Sequence, residues 1–120
     1  MRYMLLIVEP PGQRATRNRA EGEAAYAAMR EFGEKLRQRG QLVAVESLAS
    51  HTKAARVQRS GAKVQVVDGP FAEAKEMIGG FFMIDVESRD EALAIAADCP
   101  AAQWCPVEVR ALAPCFDDSV

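Results

Sequence analysis

The sequence predicts an α+β fold, and three observations predict it. Two segments, Arg2–Val8 and Phe81–Val86, are apolar on both alternating faces, as strands covered on both sides are. Two others, beginning at Asn18 and Ser88, carry apolar residues at helical spacing behind polar capping residues. Between them lies a pair of short β-prone runs around a glycine, and a last alternating segment closes the pattern.

The first strand runs from Arg2 to Val8, with Tyr3, Leu5 and Ile7 on one face and Met4, Leu6 and Val8 on the other. Pro10, Pro11 and Gly12 end it, and a polar loop extends from Glu9 to Arg19. Arg14, Arg17 and Arg19 form a small basic cluster there, either a solvated loop or an anion contact. Asn18 stands three residues before Glu21, the spacing of a capping box, and opens a helix expected to reach about Arg39. Ala25, Met29, Phe32 and Leu36 share one of its faces, and Gly40 is placed to cap its end. Gln41–Glu46 is the second strand. Arg56–Arg59 and Lys63–Val67, joined through Ser60-Gly61-Ala62, read as a hairpin with mixed polar and apolar faces. Asp68-Gly69-Pro70-Phe71 is a turn, Gly69 being free to take positive φ, and Ala72–Met77 could form a helical turn. Gly79-Gly80 introduces the strand Phe81–Val86. Ser88-Arg89-Asp90-Glu91 is a capping box for a second helix with Leu93, Ala96 and Ala97 as its stripe, ended by Cys99-Pro100. Pro106–Leu112 alternates, Val107 and Val109 against Glu108 and Arg110, as an edge strand does.

Strand, helix, strand, inserted hairpin, strand, helix, strand is the split βαβ order of ferredoxin-like domains. That topology puts the first and third main strands mid-sheet, and these are the two segments apolar on both faces. Both helices would cover one sheet face and leave about five large apolar side chains on the other. At roughly 1.5–3 kcal/mol each, that face represents on the order of 10 kcal/mol of unused driving force. A homodimer through the open sheet face is therefore expected.

The 120 residues suit a single domain, residues 1–120, with one core. With 49% hydrophobic and 27% charged residues the chain has a globular composition rather than a disordered one. A formal charge of −2 gives no general attraction to nucleic acid or anionic membranes. The apolar start is too short for a secretory signal or a membrane span, so a cytoplasmic location is expected. Cys99, Cys105 and Cys115 contain no CxxC pair and are expected to be reduced thiols; with His51 the only histidine, neither a metal nor another cofactor is expected.

The densest set of special residues is Asp68–Gly80. Asp68 can serve as an acid or base, and Glu73, Lys75 and Glu76 could form an ion-pair set near a cleft. His51 titrates nearest neutrality and would be a general base if Asp68 or Glu46 oriented it; a solvated loop histidine is the alternative. Lys75 or Arg110 could hold an anionic substrate in a dimer cleft. Trp104 reads as a packing residue. No GxSxG, P-loop or GxGxxG is present.

DGPFAEAKEMIGGFFMIDVES, followed by DEALAIAADCP and PVEVRALAP and preceded by RYMLLIVEP, resembles the DGPF family of the YCII-related superfamily. The likeness covers nearly the whole chain. It implies a ferredoxin-like, dimeric α/β barrel and no particular reaction. Short YCII-like relatives carry a His–Asp pair as active site, with the His on the first helix. Here that helix has Tyr26 and Met29 at its middle and no histidine, and only Asp68 matches. The family's frequent association with extracytoplasmic-function sigma factors implies a regulatory or accessory, small-molecule-binding role with a sigma factor as partner. The alternative is an enzyme using Asp68.

Overall fold

The computed structural model describes residues 1–119. In chain order the elements are β1 (Arg2–Glu9), α1 (Arg19–Gln38), β2 (Leu42–Ser47), β3 (Ala55–Ser60), β4 (Lys63–Asp68), β5 (Met77–Asp85), α2 (Arg89–Asp98) and β6 (Val107–Ala111). The main sheet has the order β2-β5-β1-β6 with every pairing antiparallel, and β3 and β4 form a separate hairpin. This α+β architecture, with β1 and β5 in the centre, is compatible with the ferredoxin-like arrangement.

Period-two alternation places Tyr3, Leu5 and Ile7 of β1 beside Phe82 and Ile84 of β5, all buried. Leu36 of α1 and Ala92, Ile95 and Ala96 of α2 close over the same cluster, so both helices lie on one sheet face. Phe32 meets Phe82 edge-on with ring centroids 5.1 Å apart, a geometry that adds about 0.5–1.5 kcal/mol to burial. On the opposite face Leu6 stands across from Phe81 and Met4 from Met83, and all four are only half-buried. Glu108 and Arg110 of β6 are paired with Leu6 and Met4 on that same face.

α1 begins as its capping box requires: the Asn18 side chain accepts from Glu21 N–H, and Glu21 accepts from Asn18 N–H. Gly40, at φ +71°, ends it in the left-handed conformation. At α2 only half the expected box forms. Ser88 Oγ accepts from Glu91 N–H, but Glu91 reaches Glu87 N–H and Gln41 instead.

Four sequence expectations are corrected. β5 starts at Met77, so Gly79 and Gly80 lie within the strand rather than before it. The buried stripe of α2 is Ala92, Ile95 and Ala96, while Leu93 and Ala97 face outward. Residues 72–73 form a turn closed by the Ala74 N–H to Phe71 carbonyl bond, and no helix follows before β5. Gly69 has no positive φ; glycine is required there because a Cβ would overlap the His51 carbonyl.

Candidate functional site

The second half of α1 is pressed onto the sheet, with Gly33 and Leu36 buried. The first half stands off, its Ala25 and Met29 half-buried and Tyr26 exposed. A cleft of about 950 Å³ runs along α1 from Gly22 to Arg37, between the helix and the sheet. Ile7, Val45 and Phe82 contribute its apolar sheet side, and Ala25 and Met29 its helix side. Trp104 and Ala101 close one flank.

One charged pair borders this cleft from within. Glu9 continues the row Tyr3-Leu5-Ile7, so its carboxylate falls on the helix-covered face, where the residue is 5% exposed. A carboxylate so placed needs compensation, and Arg14 supplies it. Arg14 Nε donates to Glu9 Oε1 at 3.2 Å and Nη2 to Oε2 at 2.8 Å, a bidentate pair. The same guanidinium donates to the Leu48 carbonyl at 2.8 Å and to the Gly79 carbonyl at 3.1 Å. It thereby ties the loop after β1 to the end of β2 and the start of β5.

The register explains the room for this pair. Ile7 faces Gly80 but Val8 faces Ile78, so Gly79 is an extra, bulged residue of β5. A Cβ at Gly79 would overlap the Glu9 carboxylate. Nearby, the Arg17 guanidinium lies over the Trp104 ring, 5.2 Å from its centroid. Cys105 is buried beside this group. Burial, and then the Glu9 carboxylate and Cys99, push its thiol from 9.0 up to about 11, with Arg17 opposing.

With this geometry in view, comparison with known proteins decides the family. The model of the YCII-related domain matches residues 1–115. The chain belongs to the YCII-related family. It is also 35% identical over 98 residues to "Uncharacterized protein R00369" of Rhizobium meliloti (strain 1021), spanning 82% of this chain and 79% of that one. The match is to the YCII-related family as a whole, the broader of the two groupings the sequence resembles.

In this YCII-related chain the residues singled out from sequence do not converge. Asp68 ends β4, exposed, and borders neither the cleft nor the smaller hollow of about 480 Å³ at the hairpin root. His51 and Glu76 line that smaller hollow with Phe71 and Met77. The His51 ring forms no hydrogen bond with Asp68 or Glu46, and its Nδ1 is buried without a partner. Glu73 pairs with Arg56 at 3.1 Å, and that guanidinium lies 3.8 Å from the Phe71 ring centroid. Lys75 is exposed and makes no ion pair among the described residues. Arg110 sits on β6, at the sheet edge opposite β2, and its nearest carboxylate is Glu108 at 3.9 Å.

Sequence reading passed over Glu9 as a loop residue and Trp104 as packing. The signal for Glu9 was present: it is the fourth member of the period-two row. Of the basic cluster, Arg14 is the clamp, Arg17 the stacked cation, and Arg19 an exposed partner of Glu23. The three cysteines are free thiols, and no cluster of three metal-ligating side chains occurs among the described residues. No helix of the described residues is long and apolar enough to cross a membrane.

Proposed function

We propose that the protein binds a small molecule in the cleft between α1 and the sheet, and does so as a homodimer. The observation that supports binding is the cleft itself. It has apolar patches set among charged side chains, a volume in the usual range for ligand sites, and a buried ion pair fixed at its border. A helix that merely packed on the sheet would leave no such space, because protein interiors fill to crystal-like density.

The dimer reading rests on the open sheet face, where Met4, Leu6, Phe81 and Met83 have no covering layer within the chain. A second copy placed sheet to sheet would bury them and give the α/β barrel that the family resemblance implies. Acid–base catalysis at Asp68 draws no support from a single chain, since nothing encloses that carboxylate; it needs a wall supplied by the second copy. Nothing in the cleft is particular to a sigma-factor partner.

Trp104 is the sole tryptophan and borders the cleft, so it reports occupancy directly. Titration with the neutral dye N-phenyl-1-naphthylamine should quench its fluorescence by energy transfer. Ala25→Phe, which fills the cleft from the helix side, should abolish that binding in a protein that still folds by circular dichroism. Gly22→Leu is a second filling variant at a position with open space around it. Binding that is unchanged in both would place the ligand elsewhere and overturn the reading.

A further inference from the structure

The charges around the cleft are unequal in what they have left to offer. Arg14 has five N–H donors, and four are used: two on Glu9, one on Leu48 and one on Gly79. Its charge is balanced by Glu9. The cleft's other helix-side carboxylates are also matched, Glu31 with Lys35 at 3.6 Å and Glu34 with Arg37 at 3.4 Å. Glu46 also lines the cleft, across from Phe81 in the row next to that of Val45 and Phe82, and makes no ion pair among the described residues. Arg17 and Arg30 border the same cleft and have no carboxylate partner among the described residues.

Arg17 differs from an ordinary surface arginine in two ways. It is half-buried, and the indole of Trp104 holds its guanidinium. A guanidinium held over a ring by cation–π attraction still has N–H donors to offer an oxyanion. Ile7, Met29 and Phe82 are among the apolar residues that line the same cleft.

We infer that the ligand is a small organic anion with an apolar or aromatic body: Arg17, positioned by Trp104, binds the acidic head, and Ile7, Met29 and Phe82 take the body. The inference rests on the cleft being the binding site. It adds the ligand's chemical class and assigns the residue that selects it.

Two dyes with one ring skeleton separate the two claims. 1-Anilinonaphthalene-8-sulfonate carries the anion, and N-phenyl-1-naphthylamine lacks it. The wild-type protein should bind the sulfonate about tenfold more tightly, the scale of one charge-assisted contact. Arg17→Met should remove that preference and leave the neutral dye within about twofold, whereas Arg17→Lys should keep part of it. Melting curves establish that each variant folds. Equal affinity for both dyes in the wild type, with both blocked by Ala25→Phe, would overturn the anionic class and leave the cleft reading standing. A sulfonate preference that survives Arg17→Met would remove Arg17 from the site. Binding of both dyes that ignores Ala25→Phe would overturn the cleft reading and this inference together.

Discussion

Glu9, Arg14 and Gly79 form a mutually dependent set. The carboxylate is buried because of its place in the β1 row, the guanidinium compensates it, and the missing side chain at Gly79 makes the space. Removing one partner of such a pair strands the other charge, which costs about 3–5 kcal/mol for a buried pair. Arg14 is itself about a third exposed, so the low end applies. Arg14→Met should therefore lower the unfolding free energy by about 3 kcal/mol in a urea titration, and a loss below about 1 kcal/mol would show that water already compensates Glu9. Cys105 supplies a second residue-scale test. Its thiol is held protonated up to about 11 in the fold, above the 9.0 of an unconstrained thiol. Between these values the folded state binds the proton and the unfolded state does not, so stability present below pH 9 should fall as pH rises toward 11. Comparing wild type with Cys105→Ala across that range isolates the effect as a steeper loss in the wild type. The set at Glu9 was partly legible from sequence. The alternation places Glu9 on the core face, but only the bulge shows that the core has room for it there.

At the scale of elements, α1 carries both the local signals and the site. Its start was readable because Asn18 and Glu21 satisfy each other's backbone N–H groups without help from the rest of the chain. Asn18→Ala should cost about 1 kcal/mol, read as a lowered melting temperature with unchanged dye binding. The stripe of α2 was not readable, because residues 92–97 are all apolar and the helix could turn any of several faces inward. Packing on β1 and β6 selects Ala92, Ile95 and Ala96. The small side chains at 92 and 96 suit a close approach to the sheet, and Leu93 is left 37% exposed. β5 begins early for a related reason. Two glycines read as a break, yet here Gly79 is the bulge that accommodates Glu9 and Gly80 lets the β2 backbone approach.

For the molecule as a whole, the exposed surface is the informative quantity. A compact monomer of 13.1 kDa exposes about 6,400 Å², whereas this chain exposes 8367 Å². Its radius of gyration is 16.2 Å, against about 14 Å for a compact domain of this length. The β3–β4 hairpin contributes to both, with Val57, Val64, Val66 and Val67 exposed. The excess is comparable with one partner's share of a large homodimer interface. Sedimentation at micromolar concentration should therefore show twice the chain mass of 13.1 kDa, and Leu6→Asp in the centre of the open face should return it to a single copy. A wild-type protein that sediments as one copy would overturn the dimer.

What the sequence determined by itself was the set of elements, their order and the presence of two apolar sheet faces. Alternation, helical spacing and caps are local properties, carried by residues a few positions apart. Only the tertiary structure decided where a site lies. The cleft, the Glu9–Arg14 clamp and the Arg17–Trp104 stack join residues from β1, its following loop, α1, β5 and the segment before β6. Their proximity follows from how far one helix stands from the sheet, and no short-range pattern encodes that distance.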